Sequence, residues 1–175
     1  MKLIFPCAFL VCLLLSACAE STASLEPVFL TTLKNETDRV TVENQEAMTV
    51  IDIQSPSGIG SLRLDLESGT LPEKILLRLH LAGLEEFRLS SEKISLLASI
   101  SNGGGLTDTH QRIVSPGVET PITPNHPYWL NIRRVPDEMN PNMSPGGEYF
   151  EVELSKQILD ELGNSFEVLW IDFYR

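Results

Sequence analysis

Lys74-Ile75-Leu76-Leu77-Arg78-Leu79-His80-Leu81 decides the fold of this 175-residue chain. Ile75, Leu77, Leu79 and Leu81 fall on one side, and Leu76, Arg78 and His80 on the other. A period of two is the pattern of a strand with one buried face. Residues 74–100 are rich in Leu, Lys and Glu, so a helix is the competing reading. A helix needs its apolar positions three and four apart, and strict alternation denies it that stripe.

The same period recurs on both sides. Residues 61–66 set Leu62, Leu64 and Leu66 against Arg63 and Asp65, and residues 93–101 align Ile94, Leu96, Ala98 and Ile100. Residues 28–33, 39–42 and 47–53 upstream read as short strands, as do 87–89, 111–114, 128–135, 149–154 and 166–174 downstream. Residues 55–60 and 102–105 are rich in turn-formers. Pro116, Pro121, Pro124 and Pro127 space out a stiff irregular segment, and residues 136–147 form a long Pro/Gly loop. Residues 155–162 suit one or two helical turns, with Ser155 as N-cap and Gly163 as terminator. The sum predicts an all-β sandwich, jelly-roll or Ig-like, of about eight to ten strands with one short helix. It fills a single domain over residues 27–175. Trp170, Ile171 and Phe173 make the last strand apolar on both faces, so it belongs inside a sheet or under cover.

The first residues carry a different message. Lys2 precedes an apolar run over residues 3–15, broken only by Pro6. That run is too short to span a bilayer as a helix. Leu15-Ser16-Ala17-Cys18 closes it, and the whole resembles a bacterial lipoprotein signal peptide with its lipobox. The resemblance implies cleavage after residue 17 and lipidation of Cys18. It also implies export and anchoring to a membrane through two or more acyl chains. Ala19 stands where aspartate would retain a Gram-negative lipoprotein at the inner membrane, which favours the outer membrane. Residues 18–26 then form the lipidated N-terminus and a polar tether, roughly 25 Å long when extended. Two further stretches, Leu77-Arg78-Leu79-His80-Leu81-Ala82-Gly83-Leu84-Glu85 and residues 166–175, resemble a group of small uncharacterised exported bacterial proteins. That likeness implies a domain running to the C-terminus and brings no activity with it.

Charge and cysteines narrow the function. The chain has 13 Lys+Arg and 24 Asp+Glu, and loss of Lys2 with the signal leaves a net charge of −12. Such a domain repels nucleic acid and anionic head groups. The lipoprotein resemblance implies that Cys7 and Cys12 leave with the signal and that lipid occupies Cys18, the remaining cysteine. Disulfides, thiol chemistry and cysteine-based metal sites are thereby excluded.

The candidates for chemistry are few. His80, His110 and His126 have no metal-ligand spacing, so a zinc site would have to assemble from distant loops. There is no GxSxG, and Ser57 is a turn residue. Residues 137–148 are oxygen-rich, which makes Asp137, Glu138 and Glu148 calcium candidates, but Met139, Pro141 and Asn142 break the EF-hand pattern. Asp172 lies among aromatics, where a carboxylate must be paired or protonated. Set beside Glu151 or Glu153 it would suit glycoside-type acid/base chemistry. Paired with Arg78, Arg133 or Arg175 it would be structural. Tyr128, Trp129 and Tyr149 could stack sugars, or simply fill the core. No cofactor motif is legible. The expectation is a membrane-anchored, non-enzymatic binding or assembly module of the cell envelope, with an envelope protein or glycan as partner. The alternative is an envelope hydrolase using Asp172 and a second carboxylate.

Overall fold

The computed structural model describes residues 26–68, 71–100, 109–115, 118–122, 128–136 and 148–172. In chain order the strands are β1 (Val28–Leu33), β2 (Arg39–Gln45), β3 (Met48–Gln54), β4 (Ile59–Ser68), β5 (Lys74–His80) and β6 (Glu86–Ser90). They continue as β7 (Ser95–Ile100), β8 (Thr109–Ser115), β9 (Val118–Ile122), β10 (Asn131–Pro136) and β11 (Glu148–Ser155). Helix α1 (Lys156–Leu162) and strand β12 (Ser165–Ile171) complete the order.

Two sheets form the sandwich. One has seven strands in the order β1-β4-β12-β6-β7-β8-β9, the other five in the order β10-β11-β5-β3-β2. Neighbours are antiparallel except β3 and β5, which run parallel with Ile51 opposite Leu77. Of the stretch 74–81, residues 74–80 form strand β5, at the centre of the five-stranded sheet, and Leu81 follows it. Ile75, Leu77 and Leu79 are fully buried, as its alternation requires. From the other sheet they meet Leu62 and Leu64, Phe87 and Leu89, and Phe166, Val168 and Trp170, in one continuous core. Burying each such side chain contributes about 1.5–3 kcal/mol.

The twelve described strands exceed the eight to ten expected. The clearest addition is β9, which falls where prolines suggested irregular chain. It is the outer strand of its sheet, with Pro121 opposite Arg112, and an edge strand tolerates a residue without N–H. Strand β12 is third of seven, flanked by β4 and β6, but only its face of Phe166, Val168 and Trp170 is buried; Glu167 is exposed and Ile171 half-buried on the other face, and Phe173 lies outside the described residues. Helix α1 begins at Ser155, whose hydroxyl accepts the Ile158 N–H, and ends at Gly163 with φ 76°. It buries Ile158, Leu159 and Leu162. A positive φ there suits glycine, which has no Cβ to clash.

The sandwich has two distinct ends. Val28 lies opposite Ser68, near Ser165 and α1, so the chain enters at the end where α1 sits. At the other end lie the segment 34–38, the turn 54–58, residues 80–85 and Asp172. They are tied together by Asp172 N–H to Gly58 O (2.7 Å), Glu85 N–H to Ile171 O (2.7 Å) and Ser57 O–H to Asp38 Oδ1 (3.2 Å).

Candidate binding face

The inward set of β3, β5 and β11 is apolar, so their polar residues stand on the outer face of the five-stranded sheet. Register places them in rows. Arg39, Gln54 and His80 form the row at the end distal to Val28. Thr41, Asp52, Arg78, Glu151 and Arg133 form the next row. Glu43, Val50, Leu76, Glu153 and Asn131 follow.

The middle row is an alternating charge ladder. Glu151 is 5 % exposed although its strand position points outward. Arg133 and Arg78 cover it from the strands on either side. Arg133 donates from Nε at 2.9 Å and more closely from Nη2, and Arg78 donates from Nε at 3.4 Å. Glu151 holds the Arg133 guanidinium charged to still higher pH, by hydrogen bonding first and by Coulomb attraction second. Across the sheet, His80 Nε2 meets Asp52 Oδ2 at 2.9 Å. The Tyr149 ring lies 5.4 Å from the His80 ring, and the Arg78 guanidinium lies over Tyr149 at 5.4 Å. This is a cation–π contact backed by the Arg78–Glu151 pair. Arg78 is thus fixed by two partners, Glu151 and Tyr149, and Arg133 by two hydrogen bonds to Glu151, which keeps the face preorganised.

A cavity of about 240 Å³ opens at the distal rim of this face, lined by Thr37, Arg39, Gln54, Ser55, Pro56 and His80. Larger depressions lie elsewhere. One of about 670 Å³ runs beside Ser90–Lys93 and Leu162–Glu167, and its Arg63 is already engaged by Asp65 at 3.0 Å. Ser165 first and Arg63 second hold the Asp65 carboxyl below its ordinary range. Another, of about 660 Å³, lies between the 34–37 segment and Ile59 and Leu169.

The residues singled out from sequence scatter over the fold. Glu151 and Glu153 stand on the outer face of the five-stranded sheet, whereas Asp172 follows β12 of the seven-stranded sheet. Asp172 is 2 % exposed, and its Oδ2 accepts the Ala82 N–H at 3.1 Å. Arg78 and Arg133, weighed as partners for Asp172, instead hold Glu151. Among the aromatics, Tyr149 is on the outer face, while Tyr128 and Trp129 pack against the core. Burial, then a hydrogen bond to Glu161 of α1, push the Tyr128 phenol up. Cys18, Asp137, Glu138, His126 and Arg175 lie outside the described residues. Of Glu148 and His110 only the backbone is described, opening β11 and within β8. Among the described residues no group of three or more His, Cys, Asp or Glu side chains could hold a metal ion. Sequence reasoning missed Asp52, Gln54 and Arg39, whose significance comes only from strand neighbours. It also missed Asp38, a second buried acid.

Compared with known proteins, the chain matches no family model, and no curated protein or solved structure is similar to it.

Proposed function

We propose that this protein is a lipid-anchored binding module of the cell envelope, and that it binds through the distal part of the five-stranded sheet's outer face. One observation carries the reading. The preorganised array of Arg78, Arg133, Glu151, His80 and Tyr149 lies toward the end of the sandwich opposite the point where residue 26 enters β1. A domain tethered through Cys18 would hold that face away from the membrane and offer it to the envelope. Arginine and tyrosine are the residue types that dominate binding energy at such faces, and here both are held in place before any partner arrives. Ala19 beside Cys18 favours the outer membrane in a Gram-negative cell. Among the described residues no helix is long and apolar enough to cross a membrane.

The test has two arms. Cys18→Ser should move the protein out of the membrane fraction. Tyr149→Ala and Arg133→Ala, kept membrane-bound, should lose retention on isolated envelope material while remaining folded. Unchanged fractionation of Cys18→Ser refutes the anchor. Unchanged retention of both face variants refutes the binding face.

A further inference from the structure

The cavity at the distal rim differs from the rest of this molecule. The chain carries 24 acidic residues against 13 basic ones, and most described arginines that reach its surface are spent on carboxylates. Arg63, Arg78, Arg88 and Arg133 each face one. Arg39 makes no ion pair with a described residue, and it lines the cavity with Thr37, Gln54, Ser55, Pro56 and His80. No Asp or Glu is among these lining residues. Its open donors are the Arg39 guanidinium and the Gln54 carboxamide, since the Thr37 hydroxyl donates to Asn35 at 2.9 Å and His80 Nε2 meets Asp52. Ser55 is itself 4 % exposed, with its hydroxyl 3.4 Å from Ser57 Oγ, and closes the wall. Two acids lie close by: Asp52 on the sheet face is engaged by His80 at 2.9 Å, and Asp38, between Thr37 and Arg39, is buried and accepts from Ser57 at 3.2 Å.

We infer that this cavity is an oxyanion subsite, and that its ligand is the acidic group of an anionic glycan whose next residue lies on the Tyr149–His80 shelf. The inference rests on the binding face proposed above and names its ligand class. The anion follows from the donor set. A planar guanidinium without a carboxylate of its own takes a carboxylate or phosphate in two parallel hydrogen bonds. The size follows too. About 240 Å³ lies below the roughly 300–1,000 Å³ of pockets that enclose whole drug-sized ligands, so one acidic unit enters and the remainder stays outside. Outside, Gln54 and His80 continue the row, and the His80 and Tyr149 rings lie 5.4 Å apart. That gives an apolar ring surface edged by polar groups, the pairing a sugar ring needs.

The test is calorimetric titration of the purified full-length protein in detergent with three probes: trigalacturonate, the same trisaccharide with its carboxylates reduced to alcohols, and inorganic phosphate. Arg39→Ala and Tyr149→Ala are titrated alongside. The expected result is binding of trigalacturonate, about tenfold or more weaker for the reduced sugar and for Arg39→Ala, since losing one charge-assisted bidentate contact is worth at least that factor. Tyr149→Ala should weaken trigalacturonate but leave any phosphate binding unchanged. Equal affinity for acidic and neutral sugar, with Arg39→Ala silent, overturns the oxyanion subsite and leaves the binding face standing. Phosphate binding as tight as trigalacturonate, with Tyr149→Ala silent, overturns the glycan as carrier. No heat with any probe overturns the inference, and envelope retention by the same preparation then shows whether the binding face survives it.

Discussion

Gly60 is closely surrounded, and Gly60→Ala should be costly for a calculable reason. A Cβ there would lie 2.4 Å from Trp170 Cζ2, 2.8 Å from Cε2 and 2.5 Å from Asp38 Oδ2. Each gap is about 1 Å short of ordinary contact. Neither neighbour yields easily: Trp170 is fully buried, and Asp38 is 4 % exposed and held by Ser57. Overpacking a closed core costs about 1–3 kcal/mol, and with two rigid neighbours the upper end applies. In a domain of this size about 3 kcal/mol lowers Tm by about 6–12 °C. Thermal unfolding followed by circular dichroism reads it directly. The clash is shared with the indole, so a cycle with Trp170→Phe should show coupling of about 1 kcal/mol or more, with the double variant less damaged than the sum. A Gly60→Ala protein melting within a degree or so of the parent would refute the packing at this end of the sandwich. Strict additivity with Trp170→Phe would refute the role given to the ring.

Other consequences concern the charged groups. Glu151→Gln keeps the volume but leaves two guanidiniums without their carboxylate; Arg133 is 65 % exposed and stays solvated, so the loss should be about 1–2 kcal/mol by urea unfolding. Arg78→Ala with Arg133→Ala together should cost more than Glu151→Gln, because the carboxylate then stays behind without either cation, and equal costs would contradict its burial. The depressed Asp65 contributes stability fully present above its unfolded value of 3.8 and lost as pH falls through the lower folded value. Asp65→Asn should therefore flatten the acid limb of the stability profile below about pH 4 and leave it unaltered near neutrality apart from a constant offset. Asp172→Asn should weaken the acceptor for the Ala82 N–H and cost about 1–2 kcal/mol in a melt, with envelope retention maintained. Loss of a hydrolytic turnover in a fully stable Asp172→Asn protein would instead favour the enzyme alternative.

Much of the fold was legible because the chain writes it in a period of two. Ile75, Leu77 and Leu79 alternate with Leu76, Arg78 and His80, and the core takes the first set as the pattern demands. The Ser155 cap and the Gly163 stop of α1 were equally plain, being local chemistry. Strand β9 was obscured by Pro121, whose tolerance depends on an edge position that only the finished sheet defines. The candidate site was far less legible. Glu151 was noticed, yet its strand period assigns it to solvent. It is buried because Arg78 and Arg133 arrive from β5 and β10, more than 70 and about 20 residues away in sequence. Arg39, Gln54 and His80 become a row only through the pairing of β2 with β3 and the parallel pairing of β3 with β5. Asp172 drew attention through its aromatic neighbours, but the backbone N–H it accepts comes from Ala82, which no side-chain motif announces.

The central claim is that the face distal to the anchor does the binding. It is tested most directly by photo-crosslinking in intact cells. A photoreactive amino acid is placed at Gln54, on the distal row, or at Glu167, on the exposed outer face of the seven-stranded sheet. Adducts to an envelope component from position 54 and none from position 167, lost on Tyr149→Ala, are what the account predicts. Adducts from position 167 alone, or equally from both, would contradict it.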